Sequence, residues 1–92
     1  MTLTRGNFHG YEFGRMVILF SMIDGQTEIP CAISTSALDE LESVSRSREN
    51  EREAQFMRLR DRIEERAIGK FLAMEFEGTP PGIILRSIDF RK

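Results

Sequence analysis

Met16 to Ile23 (MVILFSMI), followed at once by Asp24-Gly25 and then by Gln26 to Ile33 (QTEIPCAI), is the stretch on which the fold turns. The first run is β-branched, aromatic or apolar at almost every position, as in a strand covered on both faces or lying in the centre of a small sheet. It is far shorter than the roughly 20 residues a bilayer-crossing helix needs, which argues against a membrane segment. Asp-Gly supplies the positive φ angles of a tight type I′ turn, so the second run is expected to return antiparallel. In that run Ile29, Cys31 and Ile33 alternate with Glu28, Pro30 and Ala32, giving one apolar and one mixed face. Pro30 has no N–H for a ladder, which places this strand at an edge or puts a bulge in it.

Downstream, Ser34-Thr35-Ser36-Ala37-Leu38-Asp39 offers helix N-caps, and Ser36 with Asp39 approximates a capping box. Leu38, Leu41 and Val44 then line one side of a short helix ending near Ser45. Asp39, Glu40 and Glu42 are read as acids favoured by the dipole at its N-terminus. Residues 45–53 (SRSRENERE) contain no apolar side chain and are either a solvated linker or the exposed first turns of the next helix.

That next helix, Asn50 to Phe71, is the clearest element, because Phe56, Leu59, Ile63, Ala67 and Phe71 recur at spacings of three and four. At 100° per residue they fall within an arc of roughly 120°, with Asp61 and Glu65 opposite. Gly69 weakens the last turns, and Gly78-Thr79-Pro80-Pro81-Gly82 ends any regular element. Ile83 to Phe90 (IILRSIDF) reads as a final strand. The order is therefore β-β-α-α-β: an α+β domain with a small, mainly antiparallel sheet (the hairpin plus the C-terminal strand) and two helices on one face. Residues 1–14, with Phe8, Tyr11 and Phe13, either add a short edge strand or pack over the open face.

A chain of 92 residues has room for a single domain with one shared core. Thirteen basic and fifteen acidic side chains balance to -2, too little for a polybasic arm or an acidic tail. One cysteine, Cys31, and one histidine, His9, cannot build an internal disulfide or a Cys/His zinc cluster, so neither metal nor cofactor is expected. The first fifteen residues lack the apolar core of a secretory signal, and with a lone thiol this points to a reducing cytoplasm.

The strand with its Asp-Gly turn and PCAIS (Pro30 to Ser34), the phrase F-x-x-x-R-x-x-I-E-x-x-A (Phe56, Arg60, Ile63, Glu64, Ala67) and the closing IILRSIDF together resemble the short bacterial proteins grouped as domain of unknown function 1488. The resemblance runs from Met16 to Phe90. Residues 45–53 form a longer polar stretch than that pattern has between its helices. The resemblance implies a bacterial, non-secreted protein and no assigned activity.

Arg60 breaks the binary pattern, since its projected angle lies between Ala67 and Phe71 inside the apolar arc. A guanidinium there must snorkel out or pair with a carboxylate, and Glu64, one turn on, is the partner at hand. The two form either a structural ion pair, the preferred reading, or the lining of a small-anion pocket. Arg58, Arg62 and Arg66 make a second row that could meet successive phosphates of a nucleic acid. The span from Arg46 to Arg66, however, carries seven arginines against six acids, a mixture more typical of a solvated, salt-bridged helix. Cys31 on its apolar strand face reads as a buried thiol rather than a nucleophile, and His9 as a surface or edge residue. No Gly-rich phosphate loop, nucleophile elbow or HExxH occurs, so an enzyme is not expected. The expectation is a cytoplasmic interaction or accessory module that binds a protein partner or itself, without a membrane, closing the sheet face that two helices leave open.

Overall fold

The apolar run forms the centre of the sheet. The computed structural model describes residues 3–44 and 48–91. It has strands β1 (Thr4–Glu12), β2 (Val17–Asp24) and β3 (Thr27–Ser34), helices α1 (Thr35–Leu41) and α2 (Arg52–Leu72), and a short strand β4 (Ile83–Leu85). One-turn 3-10 segments, Glu49–Glu51 and Ser87–Phe90, precede α2 and follow β4. The sheet order is β1-β2-β3-β4, with β1-β2 and β2-β3 antiparallel and β3-β4 parallel. The class is α+β and the order β-β-β-α-α-β, the third strand of the N-terminal half, β1, being the edge strand that residues 1–14 offered as one alternative.

β2 and β3 pair without interruption from Val17↔Ser34 to Asp24↔Thr27. The turn residues are Gly25 and Gln26, and Gly25 alone takes a positive φ, 65°. That is the type II′ pattern rather than the expected type I′. Pro30 is tolerated because the ladder between β3 and β4 starts one residue later, at Cys31↔Ile83.

β1 escapes a period-two reading for a geometric reason. Its register against β2 shifts twice, between Arg5 and Phe8 and again between Phe8 and Gly10. Each shift inserts one residue, so Arg5, Phe8 and Tyr11, three apart in sequence, oppose Met22, Phe20 and Ile18 on one face. Gly6 is required there: a Cβ would lie 2.5 Å from both the carbonyl oxygen and Oγ of Ser21.

Ile18, Phe20 and Met22 of β2, Cys31 and Ile33 of β3, and Ile83 and Leu85 of β4 turn to the helices and join Leu38, Phe56, Leu59, Ile63 and Ala67 in one core. Phe56 is the hub, its ring centroid 5.1 Å from that of Phe20 and 5.3 Å from that of Phe8. Phe71 is half-buried at the end of this stripe, while Asp61 and Glu65 face water as expected.

Both helices stop in a Schellman motif whose left-handed residue is not glycine. After α1, Ser43 has φ 56°, with Ser43 N–H bonded to Glu40 O and Val44 N–H to Asp39 O. After α2, Met74 has φ 59°, with Met74 N–H on Phe71 O and Glu75 N–H on Lys70 O. α1 thus ends before Val44, which is exposed rather than part of its buried stripe, and Ser45 lies outside the described residues. Its N-cap is Ser34, whose Oγ accepts from Ala37 N–H at 3.1 Å, not Ser36. Asp39, Glu40 and Glu42 therefore fall beyond the first turn, where the dipole argument does not apply.

The C-terminal strand is shorter than Ile83 to Phe90. Asp89 accepts from Arg86 N–H at 2.7 Å, which curls the chain into the 3-10 turn. Its carboxylate is also held by Lys70 Nζ at 3.0 Å, and Lys70 itself is buried and donates to Ile84 O. No described helix is long and apolar enough to cross a membrane.

Candidate interaction surface

The helix-free face of the sheet is built by the residues that alternate with the core set: Val17, Leu19, Ser21 and Ile23 of β2 opposite Ser34, Ala32, Pro30 and Glu28 of β3, with Ile84 of β4 opposite Ala32. Leu19, Ile23 and Ile84 are only half-buried. Leu19, Ala32 and Ile84 floor a groove of about 210 Å³ walled by Arg15 and the turn Glu77–Pro80. At the Val17 end Ile88, 69 % exposed, shares a cavity with Val17 and Ile84.

The other end of this face is polar. Glu28 Oε2 accepts from Ser21 Oγ at 2.6 Å and from Asn7 Nδ2 at 3.3 Å, and lies 3.1 Å from His9 Nε2. The Ser21, His9 and Asn7 bonds, in that order, hold the Glu28 carboxyl below its usual range. Ser21 gives its proton to the carboxylate and not to the histidine, and is buried, so the trio lacks the order of a nucleophile, base and orienting acid. His9 is on the edge strand as expected. Its partnership with Glu28 left no trace in the sequence, since it depends on the β1 bulges.

Arg60 and Glu64 meet as their spacing requires, with Arg60 Nε 2.9 Å from Glu64 Oε2. The sequence reading did not anticipate Arg5 of β1, whose Nε donates to both Glu64 oxygens and whose Nη2 reaches Asp61 at 2.8 Å. Arg60 Nη2 donates to Gly6 O at 3.1 Å, and the guanidinium lies 5.6 Å from the Phe56 ring centroid. Glu64 therefore occupies the space between two guanidiniums that a small anion would have to take, and the group ties α2 to the bulged part of β1.

Of the arginine row, Arg58 forms a two-pronged pair with Glu42 at 2.8 and 3.0 Å, and Arg66 Nε donates to Asp89 O at 2.7 Å. Arg62 is exposed and forms no ion pair among the described residues. Two of the three charges thus serve contacts to α1 and the C-terminal turn. Asp39 likewise serves α2: Arg52 Nη1 lies 2.7 Å from Asp39 Oδ1, and Gln55 Nε2 donates to it at 3.0 Å. Cys31 faces the core, where burial pushes its thiol up to about 12, whereas His9 is on the opposite face. Among the described residues, no group of three His, Cys, Asp or Glu side chains could hold a metal ion.

A family model described as a protein of unknown function, DUF1488, matches residues 8–84. The chain is also similar in fold to a crystallised protein of unknown function from the same family, from Shewanella loihica PV-4. That likeness has a TM-score of 0.80 over 92% of this chain and 93% of the other, at 18% identity. No curated protein matches it.

Proposed function

We propose, starting from the fact that the chain belongs to the DUF1488 family, that it is a small non-catalytic interaction module of the bacterial cytoplasm, working through the helix-free sheet face and pairing there with a second copy. The observation that carries this reading is the apolar half of that face. Leu19 and Ile84 sit half-exposed on the helix-free face, and Ile88 shares a cavity with Val17 and Ile84 at its border. Contiguous apolar surface on a small protein is a mark of an interface, whereas scattered single residues are not. The charged residues of α2 support the same conclusion in another way, because most of them are engaged in holding the fold and leave the helix side without a basic surface.

The test is sedimentation velocity of the full chain over roughly 1–100 µM, compared with Leu19→Lys. A dimer that dissociates in the variant, with circular dichroism unchanged, is the expected result. A monomeric wild type, or a dimer indifferent to Leu19→Lys, refutes the reading.

A further inference from the structure

The double bulge of β1 builds a second cavity on the helix-free face, at its polar end. Its volume is about 200 Å³, and it is lined by His9 of β1, Leu19 and Ser21 of β2, and Glu28 and Pro30 of β3. Phe20 and Cys31 border it from beneath, their side chains being part of the core. The bulges form its wall. Gly6 is pressed so close to Ser21 that this serine is 1% exposed, while Asn7 and His9 reach across β2 to Glu28. The cavity adjoins the groove described above through Leu19 and Pro30, but Arg15 and Glu77 border only that groove.

The polar chemistry of the cavity is one-sided. The Ser21 hydroxyl gives its proton to Glu28 Oε2 at 2.6 Å, and its oxygen accepts from Asn7 N–H at 2.9 Å. Asn7 Nδ2 and His9 Nε2 approach the same Glu28 oxygen at 3.3 and 3.1 Å. Glu28 Oε1 accepts no hydrogen bond among the described residues, and no lysine or arginine among them pairs with this carboxylate. Ser21 and Asn7 therefore steady its charge with neutral groups. A bound anion would face that charge, and a neutral apolar molecule would leave Oε1 without a donor. A cation carrying N–H groups satisfies it.

We propose that this cavity binds a small primary amine in its ammonium form, the nitrogen donating to Glu28 Oε1 and an apolar body lying on Leu19 and Pro30. The volume sets the size of that body, since about 200 Å³ is below the roughly 300–1,000 Å³ of pockets that take drug-sized molecules. Apolar contact supplies affinity, and the carboxylate selects the head group. Three donors already fix the Glu28 side chain, so engaging its second oxygen costs little further ordering. Every residue of the site comes from one copy of the chain, and the proposal is independent of self-association.

The experiment titrates 2-phenylethylamine at pH 8 into the full chain labelled with nitrogen-15, with amide shifts followed by NMR. Saturable shifts centred on Leu19, Phe20, Ser21, Glu28 and Cys31 are expected, with a dissociation constant of about 1 mM or lower. Three controls should each weaken binding roughly ten-fold or more: 2-phenylethanol, which keeps the body and lacks the charge, ethylamine, which lacks the body, and Glu28→Gln. Nα-acetyl-lysine amide represents the other source of an ammonium, a lysine of a protein partner, and should bind more weakly than 2-phenylethylamine. Tighter binding of the lysine amide would assign the site to such a partner and overturn the small-amine proposal. Absence of saturable shifts, shifts centred elsewhere, equal binding of the alcohol, or indifference to Glu28→Gln also overturns it. If Glu28→Gln loses the dispersed spectrum of a folded chain, the comparison of amine and alcohol on the wild type decides alone. A wild type that sediments as a monomer removes the dimer reading and leaves this one standing, whereas failure of the amine to bind leaves the dimer test as it was.

Discussion

Burial sets the chemistry of individual residues here. The Cys31 thiol, raised by desolvation to about 12, is expected to resist iodoacetamide at pH 8 in the folded protein and to react fully in denaturant. Rapid alkylation of the native protein, followed by mass spectrometry, would contradict its placement. Glu64 is the hinge of the Arg5, Asp61 and Arg60 group. Glu64→Leu leaves Arg60 without its carboxylate and should lower stability by about 3 kcal/mol. Arg60→Met keeps the contact with Phe56 and the pair between Arg5 and Glu64, so its cost should be about 1 kcal/mol. Urea melts measure both, and phosphate or sulfate should leave the wild-type melting temperature unchanged. A rise with either anion would restore the pocket reading of Arg60. The pair was legible in the sequence because an arginine interrupted an apolar arc with a glutamate four residues on. Arg5 was not, since 59 residues of chain separate it from Glu64.

Elements that obey a single period were readable, and those that break it were not. α2 shows its 3.6-residue period over about four turns from Phe56 to Phe71, and its Phe56, Leu59, Ile63 and Ala67 all reach the core. β1 lacks a period of two because its bulges advance the register, so its sequence offered only aromatic residues at a spacing foreign to a strand. Gly6→Ala should therefore cost about 2 kcal/mol or more, by driving a methyl into Ser21. α1 stops at Leu41 rather than near Ser45 because Ser43 turns the chain where glycine is the usual signal, whereas α2 ends at Leu72, one residue past the expected Phe71. Met74→Gly and Ser43→Gly are expected to raise stability by about 0.5–1 kcal/mol each in thermal melts. A loss of stability in both would show that these residues are held by contacts other than the backbone motif.

For the whole molecule, acid is the informative perturbation. Glu42 is held below its usual range by the hydrogen bond from Arg58, Glu77 by that from Arg86, and Glu28 chiefly by Ser21. Burial alone would raise Asp89, but the Arg86 N–H and Lys70 bring it below its ordinary value. A carboxyl whose folded value is depressed stabilises the fold at pH above its unfolded value, and loses that contribution as pH falls through the folded one. Stability should accordingly be flat above about pH 5 and decline progressively below about pH 4. Melting temperatures across this range measure it, and a maximum below pH 4 would contradict the ion pairs described. Labelled DNA or RNA should show no saturable binding at physiological salt, because Arg58 and Arg66 are already engaged. Binding that survives salt would return the arginine row to consideration.

Local physics settled a good deal from the sequence alone. Unbroken apolar character made β2 the sheet centre, an Asp-Gly step made the hairpin, and a repeating stripe made α2, because each depends on residues within one turn or one strand of each other. Tertiary structure decided what depends on distant partners. A buried lysine and Asp89 convert the end of an apparent strand into a turn, two bulges bring Arg5 to Glu64, and the same bulges deliver His9 to Glu28. The open face belongs to this second kind, since Leu19, Ala32 and Ile84 come together only when β2, β3 and β4 lie side by side and the helices have covered the other face.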